Sequence, residues 1–306
     1  MSGLHGICFS ISMVLVTGST GYLGSTIVNK LRSAKVKFVS VARNSSGKQD
    51  VEVCDLTNKN ETKNLLERVV PSKIIHCAAA VPKELNGVVN RYESTDASEN
   101  SLEMALNIAE ATTCPIVFIS SMAVYDNGAL SEGVAYEDET VHKPSTSYAL
   151  SKFTAEQEMK ALTNSGLITL RLPGLFGKPR VTGVLYRAAH AFLLGNEFKL
   201  TSAPLWAAMH IDDAADSCIK SLEISVFPKS EIINIGYSGT FNIVVAIKLL
   251  ADICGVKWGG CSLSAPNFQA NLAKSKKYML YQKIDFRVRL EELVQDVRND
   301  IVSGQF

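Results

Sequence analysis

The stretch "STSYALSK", residues 145–152, carries two groups able to move protons, Tyr148 and Lys152. Four positions apart, they share one face of a helix, one turn from each other. A free phenol has a pKa near ~10 and is a poor base at neutral pH. An ammonium one turn away favours the phenolate, and depressing that pKa by about three units takes roughly 4 kcal/mol of such stabilisation. A solvated surface pair has the same spacing, so the spacing alone leaves both readings open.

A second pattern lies near the start of the chain. "TGSTGYLG" spaces Gly18, Gly21 and Gly24 as G-x-x-G-x-x-G. Glycine permits a tight turn and lets the backbone approach a pyrophosphate, whose charge a helix N-terminus stabilises. Such a loop can also be a plain connection, and its place in the fold decides between the two.

The surrounding elements supply that place. "MVLVTG" (13–18) is short, β-branched and ends in glycine, as a buried parallel strand does. Helical periodicity follows in "YLGSTIVNKLRS". The strand pattern recurs at 37–42, 51–55, 73–79 and 114–121, with helical segments at 58–70 and 95–112 between the last three. This alternation predicts an α/β fold, a doubly wound parallel sheet that binds ligands at the carboxyl ends of its strands. A helix over 147–162 then carries Tyr148 and Lys152 in its first turns, and the strand "LITLRLPG" follows. Beyond a Gly- and Pro-punctuated region (175–204) come a helix over about 212–222 and the strand "EIINIG". The amphipathic helix "FNIVVAIKLLADICG", stopped by Gly255, and a last one over about 288–301 complete the chain.

In this βαβ context the glycine array reads as a dinucleotide-binding loop. An acidic residue ending the second strand would bind the ribose 2′-hydroxyl and favour NAD. Ala42 stands there, followed by Arg43. Nothing then repels a 2′-phosphate, and a guanidinium can bind one bidentately, which favours NADP, with NAD the alternative. Arg43 as a solvated loop residue is the competing reading. Asp55, after the third strand, is placed to accept a hydrogen bond from the adenine amino group.

Composition adds exclusions. The 306 residues, 46% hydrophobic and 20% charged, suit an ordinary globular chain large enough for one big or two modest domains. A net charge of +1 gives no global field to recruit nucleic acid or an anionic membrane, and no basic patch is interleaved with aromatics. No run approaches the ~18–20 apolar residues of a membrane span. The seven cysteines form no CxxC pair and mostly sit in apolar segments, so reduced buried thiols in a cytoplasmic protein without a metal are expected. Residues 1–12 lack a basic start and an A-x-A cleavage site, and read as a dispensable extension.

With the glycine loop, "ISS" ending at Ser121 and Tyr148-Ala-Leu-Ser-Lys152 in one chain, the sequence resembles an extended short-chain dehydrogenase/reductase of the NAD-dependent epimerase/dehydratase family. "HCAAA", "SSMAVY", "RLPGLFG" and "MHIDDAA" extend the resemblance from Met13 to the final helix. It implies a Rossmann domain over 13–174, with 211–234 returning to it, and a smaller C-terminal substrate-binding region over 175–210 and 235–306. It also implies that Tyr148 exchanges a proton with the substrate hydroxyl as hydride moves to or from the nicotinamide. Lys152, together with the positive nicotinamide ring of the oxidised cofactor, would lower the phenol pKa and would bond the nicotinamide ribose, while Ser121 steadies the reacting oxygen. Cofactor contacts are implied for Gly18, Gly21, Tyr22, Leu23 and Gly24, then for Arg43, Asp55 and Leu56. Ala78, Ala79, Tyr148, Lys152 and Pro173 complete that set. A homodimer is implied, packed through the helices at 95–112 and 147–162.

The chain also departs from the family. The Asp-Glu pair that dehydratases place after the catalytic hydroxyl is Met122 and Ala123 here, neither able to transfer a proton, which argues against dehydration. Trp206 stands where many members bind a nucleotide-sugar diphosphate through arginine, and a second arginine is absent from "SAPNFQANLAKSK". Trp206 then reads as core or pocket wall, or as a ring stacked on a ligand. Arg180, Arg187 or Lys178 could meet phosphates instead, although such charges are more often solvated. Thr95 and Gly174 replace frequent asparagines. Substrate contacts are expected from Ser121, Val81, Gly174, Arg180 and Trp206. The expected activity interconverts a secondary alcohol and a ketone on a sugar or nucleotide sugar, as a ketoreductase. A nucleotide-sugar 4-epimerase and a non-catalytic NADP-binding regulator are the alternatives.

Overall fold

The computed structural model describes residues 13–45, 47, 50–80, 84–85, 88–89, 91–125, 133–138, 144, 146–281 and 283–304, with the backbone alone for 84–85, 88–89 and 91–95. Two compact units emerge. The first takes the residues up to Val124, His142–Arg171 and Ala215–Ile233, and the second takes Tyr125–Val141, Leu172–Ala214 and the chain from Asn234.

The first unit opens with β1 (Val14–Thr17), α1 (Tyr22–Ser33), β2 (Phe38–Ala42), β3 (Val51–Val53), α2 (Lys59–Val69) and β4 (Lys73–His76). A short antiparallel pair follows, β5 (Glu84–Leu85) and β6 (Val88–Val89). Then come α3 (Arg91–Ala111) and β7 (Ile116–Ser121) and, after β8 (Val134–Ala135), α4 (Ser147–Leu162) and β9 (Leu167–Leu172).

All four residues of β1 are buried, as a strand covered on both faces requires. On α1 the buried Leu23, Ile27 and Leu31 recur every four residues and form the stripe that faces the sheet. Asn58 caps α2, accepting hydrogen bonds from the amides of Asn60 and Glu61, and Thr146 caps α4 through the Ala149 amide. Leu15, Ile74, Ile108, Phe118, Met159 and Leu167 belong to one continuous core.

The second unit holds β10 (Gly174–Phe176), α5 (Val184–Leu193) and β11 (Ala208–His210). α6 (Ile211–Ser221) and β12 (Glu231–Asn234) follow in the chain, then α7 (Ile243–Cys254), β13 (Gln269–Ala270), α8 (Ala273–Lys277) and α9 (Phe286–Ser303). Its core joins Leu185, Ala189 and Phe192 of α5 with Ile247 and Leu250 of α7 and Leu290, Leu293 and Val297 of α9.

Seven strands form one sheet in the order β12-β9-β7-β4-β1-β2-β3. The pairs β1–β2, β2–β3, β1–β4 and β4–β7 run parallel, with Thr17 level with His76. The chain winds outward from β1 through β2 to β3, then crosses back to place β4 on the other side of β1. A topological switch point therefore lies between β1 and β4, where the loops leave in opposite directions.

The doubly wound parallel sheet matches the expectation from sequence, and several details differ from it. Residues 125–141 and 172–174 join the second unit. There β8 pairs with β13, the Tyr125 hydroxyl donates to Asn234 at 2.8 Å, and Gly174 pairs with Ala208. α3 starts four residues before the expected 95. A full helix, α5, occupies the region expected to be irregular. Its buried Leu185, Ala188, Ala189 and Phe192 have helical spacing, but Gly183 and Gly195 flank the segment closely and obscure it. Among the described residues no helix is long and apolar enough to cross a membrane, and the six described cysteines are free thiols.

Candidate active site

The β1–α1 loop is defined by crowding. Gly18 follows β1 with φ +65°, and a Cβ there would sit 2.7 Å from the Ala78 nitrogen. A Cβ on Gly24 would sit 2.2 Å from the Gly18 carbonyl oxygen, so the first turn of α1 presses on its own loop. Neither position tolerates a side chain without backbone movement. Gly21 is the N-cap of α1, with no side-chain cap and no acidic residue in the first turn. Uncapped amides behind a loop of bare backbone form a cradle that fits a dinucleotide pyrophosphate. Tyr22 and Leu23 begin the helix behind that cradle, half-buried and buried respectively.

Across the switch point, the Thr17 Oγ1 lies 2.8 Å from the His76 Nδ1 and accepts the Ala78 amide at 3.2 Å. With that amide as donor, the threonine hydroxyl can give its proton to an unprotonated Nδ1. His76 is fully buried, stacked on Phe118 with centroids 5.9 Å apart. Burial, with the Lys152 charge as the lesser cause, brings its pKa down to about 3. Ala78 is buried and Ala79 half-buried beside it.

Ser121 ends β7, where its hydroxyl accepts the Ala123 amide at 3.1 Å and acts to lower the Tyr148 pKa. Tyr148 is half-buried in the first turn of α4. Lys152, one turn on, is buried, and its Nζ donates to the Ile119 carbonyl at 2.8 Å and lies 4.8 Å from the Phe118 ring centroid. In the chain by itself burial raises the Tyr148 pKa, offset in part by Ser121, while the Lys152 amine is turned to the β7 backbone; the nicotinamide ring that the expected lowering also draws on is no part of that balance. Burial also pulls Lys152 down to about 8, against the raising effects of Cys77 and Glu156. A protonated phenol and a lysine titrating near neutrality can give and take a proton at one oxygen.

The remaining expected positions fall variously. Arg43 is exposed directly after the buried end of β2. The Asp55 Oδ1 accepts from the Thr57 amide and hydroxyl at 3.0 and 2.8 Å, so that oxygen closes its own turn. Leu56 is buried in the core, and its carbonyl accepts from Asn107. Pro173, Gly174, Arg180 and Trp206 belong to the second unit. Pro173 is buried, Gly174 is exposed, and Arg180 is exposed with a hydrogen bond to the Leu175 carbonyl. Trp206 meets Phe241 and Phe286 edge-on, at 6.1 and 6.3 Å between centroids, as part of an aromatic cluster. Lys178 is paired with Asp300. Arg187 lines a cavity of about 380 Å³ with Val181, Tyr186 and His190, which holds none of the glycine-loop or Tyr-Lys residues. Val81 lies outside the described residues.

Sequence reasoning missed His76 and Thr17, and also a buried set formed by Ser120, Glu156 and Arg171. The signals were present: an arginine inside the apolar run "LITLRL", and a glutamate four residues after Lys152.

A histidine whose folded pKa lies below its unfolded value binds fewer protons when folded. Its contribution to stability is therefore complete above about pH 6.5 and declines as pH falls towards about 3. Between pH 6.5 and 5 this amounts to about 2 kcal/mol. Urea unfolding of His76→Gln is expected to lose less stability over that interval than the parent protein. Equal losses would show that His76 is not held neutral.

Residues 14–236 match the model of the NAD dependent epimerase/dehydratase family. The chain is 27% identical over 175 residues to a dTDP-glucose 4,6-dehydratase of Haemophilus influenzae, covering 48% of this chain and 50% of the relative. It is 28% identical over 162 residues to a UDP-glucose 4-epimerase of Vibrio cholerae, covering 49% and 46%. The chain thus spans about half the length of these curated relatives. A Thermotoga maritima UDP-glucose 4-epimerase, solved with UDP-glucose, superposes with a TM-score of 0.74 over 94% of this chain and 99% of its own, at 17% identity, a likeness of fold. With the match covering most of its length, the chain belongs to the NAD dependent epimerase/dehydratase family.

Proposed function

We propose that this protein is an NAD(P)-dependent oxidoreductase that interconverts a secondary alcohol and a ketone on a sugar or nucleotide sugar, in the net direction of ketone reduction. The observation that carries this reading is the Tyr148 phenol, whose pKa the Ser121 side chain lowers, one helical turn from the buried Lys152 on α4. Gly18, Gly21 and Gly24 would hold the pyrophosphate of the cofactor, which when bound supplies or accepts the hydride. Ser121 orients the substrate oxygen. Tyr148 donates its proton to that oxygen in reduction and takes it back in oxidation. Burial keeps the phenol protonated at neutral pH, the form a proton donor needs.

Arg43, exposed after Ala42 with no carboxylate at the strand end, supports NADP over NAD. Dehydration needs an acid and a base after Ser121, and Met122 and Ala123 supply neither. A dTDP-glucose 4,6-dehydratase is nevertheless among the relatives, so products are to be checked for loss of water. The second reading, a 4-epimerase, is favoured by the Vibrio cholerae relative. An epimerase consumes no NADPH in proportion to product, and a reductase does.

In a screen of keto sugars with NADPH and NADH, Tyr148→Phe is expected to abolish turnover while leaving the fold unchanged. The parent rate is expected to decline above about pH 8 as Lys152 loses its proton. Full activity in the folded variant would refute the assignment. Arg43→Ala is expected to weaken NADPH binding about tenfold or more and to leave NADH unaffected. Equal effects on both would remove the argument for NADP.

A homodimer through α3 and α4 belongs to the same reading. The outer face of α4 carries Leu150, 53% exposed. Light scattering at twice the mass of one chain is expected, and a mass of one chain would reject the dimer.

A further inference from the structure

Tyr148, Lys152 and Glu156 stand at i, i+4 and i+8 on α4 and form one row. Each is tied to one of three consecutive residues of β7. Tyr148 meets the Ser121 hydroxyl, Lys152 the Ile119 carbonyl, and Glu156 the Ser120 hydroxyl, which donates to its Oε1 at 2.5 Å. Arg171 of β9 completes the set, its Nε donating to Oε1 at 3.0 Å and its Nη2 to Oε2 at 2.6 Å. The side chains of Arg171 and Glu156 are 1% and 0% exposed. A buried ion pair is costly to desolvate and can often be replaced by apolar residues without loss of stability, so one retained a single turn from Lys152 calls for a role beyond packing.

The groups facing Lys152 narrow that role. His76 and Cys77 approach from the end of β4, Phe118 from β7, and Tyr148 and Glu156 from its own helix, with Arg171 bound to Glu156. Burial keeps His76 neutral and pushes the Cys77 thiol up to about 12, so neither is charged near neutral pH. Burial likewise keeps the Tyr148 phenol protonated. Cys77, the larger of the two groups that raise Lys152, can do so only as a thiolate far above neutral pH, which leaves Glu156 as the anion acting on Lys152 near neutrality among these groups.

We propose that Glu156, anchored by Arg171 and latched to β7 through Ser120, is a positioning residue for Lys152. Its carboxylate supplies the fixed negative charge that holds the ammonium against the Ile119 carbonyl. The inference rests on the reading of Lys152 as an active-site group.

Glu156→Gln keeps the shape and removes the charge. The readout is the titration of the Lys152 Cε resonance in protein labelled with ¹³Cε-lysine, without cofactor, assigned by its absence in Lys152→Met. The midpoint is expected to fall by roughly half a pH unit or more, which gives about threefold more neutral amine at a fixed pH below it. The single change leaves Arg171 buried without its partner, so Glu156→Gln/Arg171→Gln is measured beside it and is expected to shift the same way. If neither folds, Glu156→Met/Arg171→Leu decides, since apolar replacement of a buried ion pair is often tolerated and it too removes the charge. A fall in the midpoint supports the proposal, and an unmoved midpoint in the folded variants overturns it. The alkaline limb of kcat/KM is expected to move with the resonance. Because the resonance is read without turnover, an inactive protein would overturn the proposed function and leave this inference standing.

Discussion

No side chain fits between Gly18 and Ala78, or between Gly24 and the Gly18 carbonyl, and the arrangement of the first unit depends on that crowding. β1 has β2 on one side and β4 on the other, and the loops that leave β1 and β4 must separate immediately above the sheet. Bare backbone at Gly18 lets them leave while still touching. At Gly24 it lets α1 start close enough to bury Leu23, Ile27 and Leu31. The Thr17–His76–Ala78 hydrogen bonds join the two strands at the same level, so the switch point is held by contact and polarity together.

Desolvation governs the chemistry of the groups beside that point. It keeps His76 uncharged, raises Tyr148 and brings Lys152 into the neutral range. The attraction of the ammonium and of a bound nicotinamide ring favours a phenolate, and burial of the phenol opposes it. The structure gives the ammonium a backbone partner and leaves the phenol protonated. The same balance makes the Glu156–Arg171 bridge informative, since charges this deeply buried persist only when fully hydrogen-bonded.

The second unit uses buried polarity differently. Arg289 and the Tyr237 hydroxyl both bond Asp213, while Phe241, Phe286 and Trp206 pack edge to face. Trp206 was ambiguous in the sequence because an indole suits either a core or a ligand, and its neighbours are residues 35 to 80 positions away. The buried positions of α5 do have helical spacing, but Gly183 and Gly195 on either side read as a loop in the sequence. Asp55 sits where a cofactor contact was expected, but a short acidic side chain beside Thr57 finds a nearer donor.

By itself the sequence determined what depends on local pattern. Strand and helix periodicity specified the doubly wound sheet, glycine spacing specified the loop after β1, and a four-residue interval put Tyr148 and Lys152 on one helix face. These follow from backbone geometry, which acts over a few residues. Only the tertiary structure decided the protonation states and partners of those groups. Ser120, Ile119 and Arg171 reach α4 from other strands, and the dehydration that shifts Tyr148, Lys152 and His76 comes from the packed core around them. Desolvation is a property of the assembled environment, and no interval along the chain encodes it.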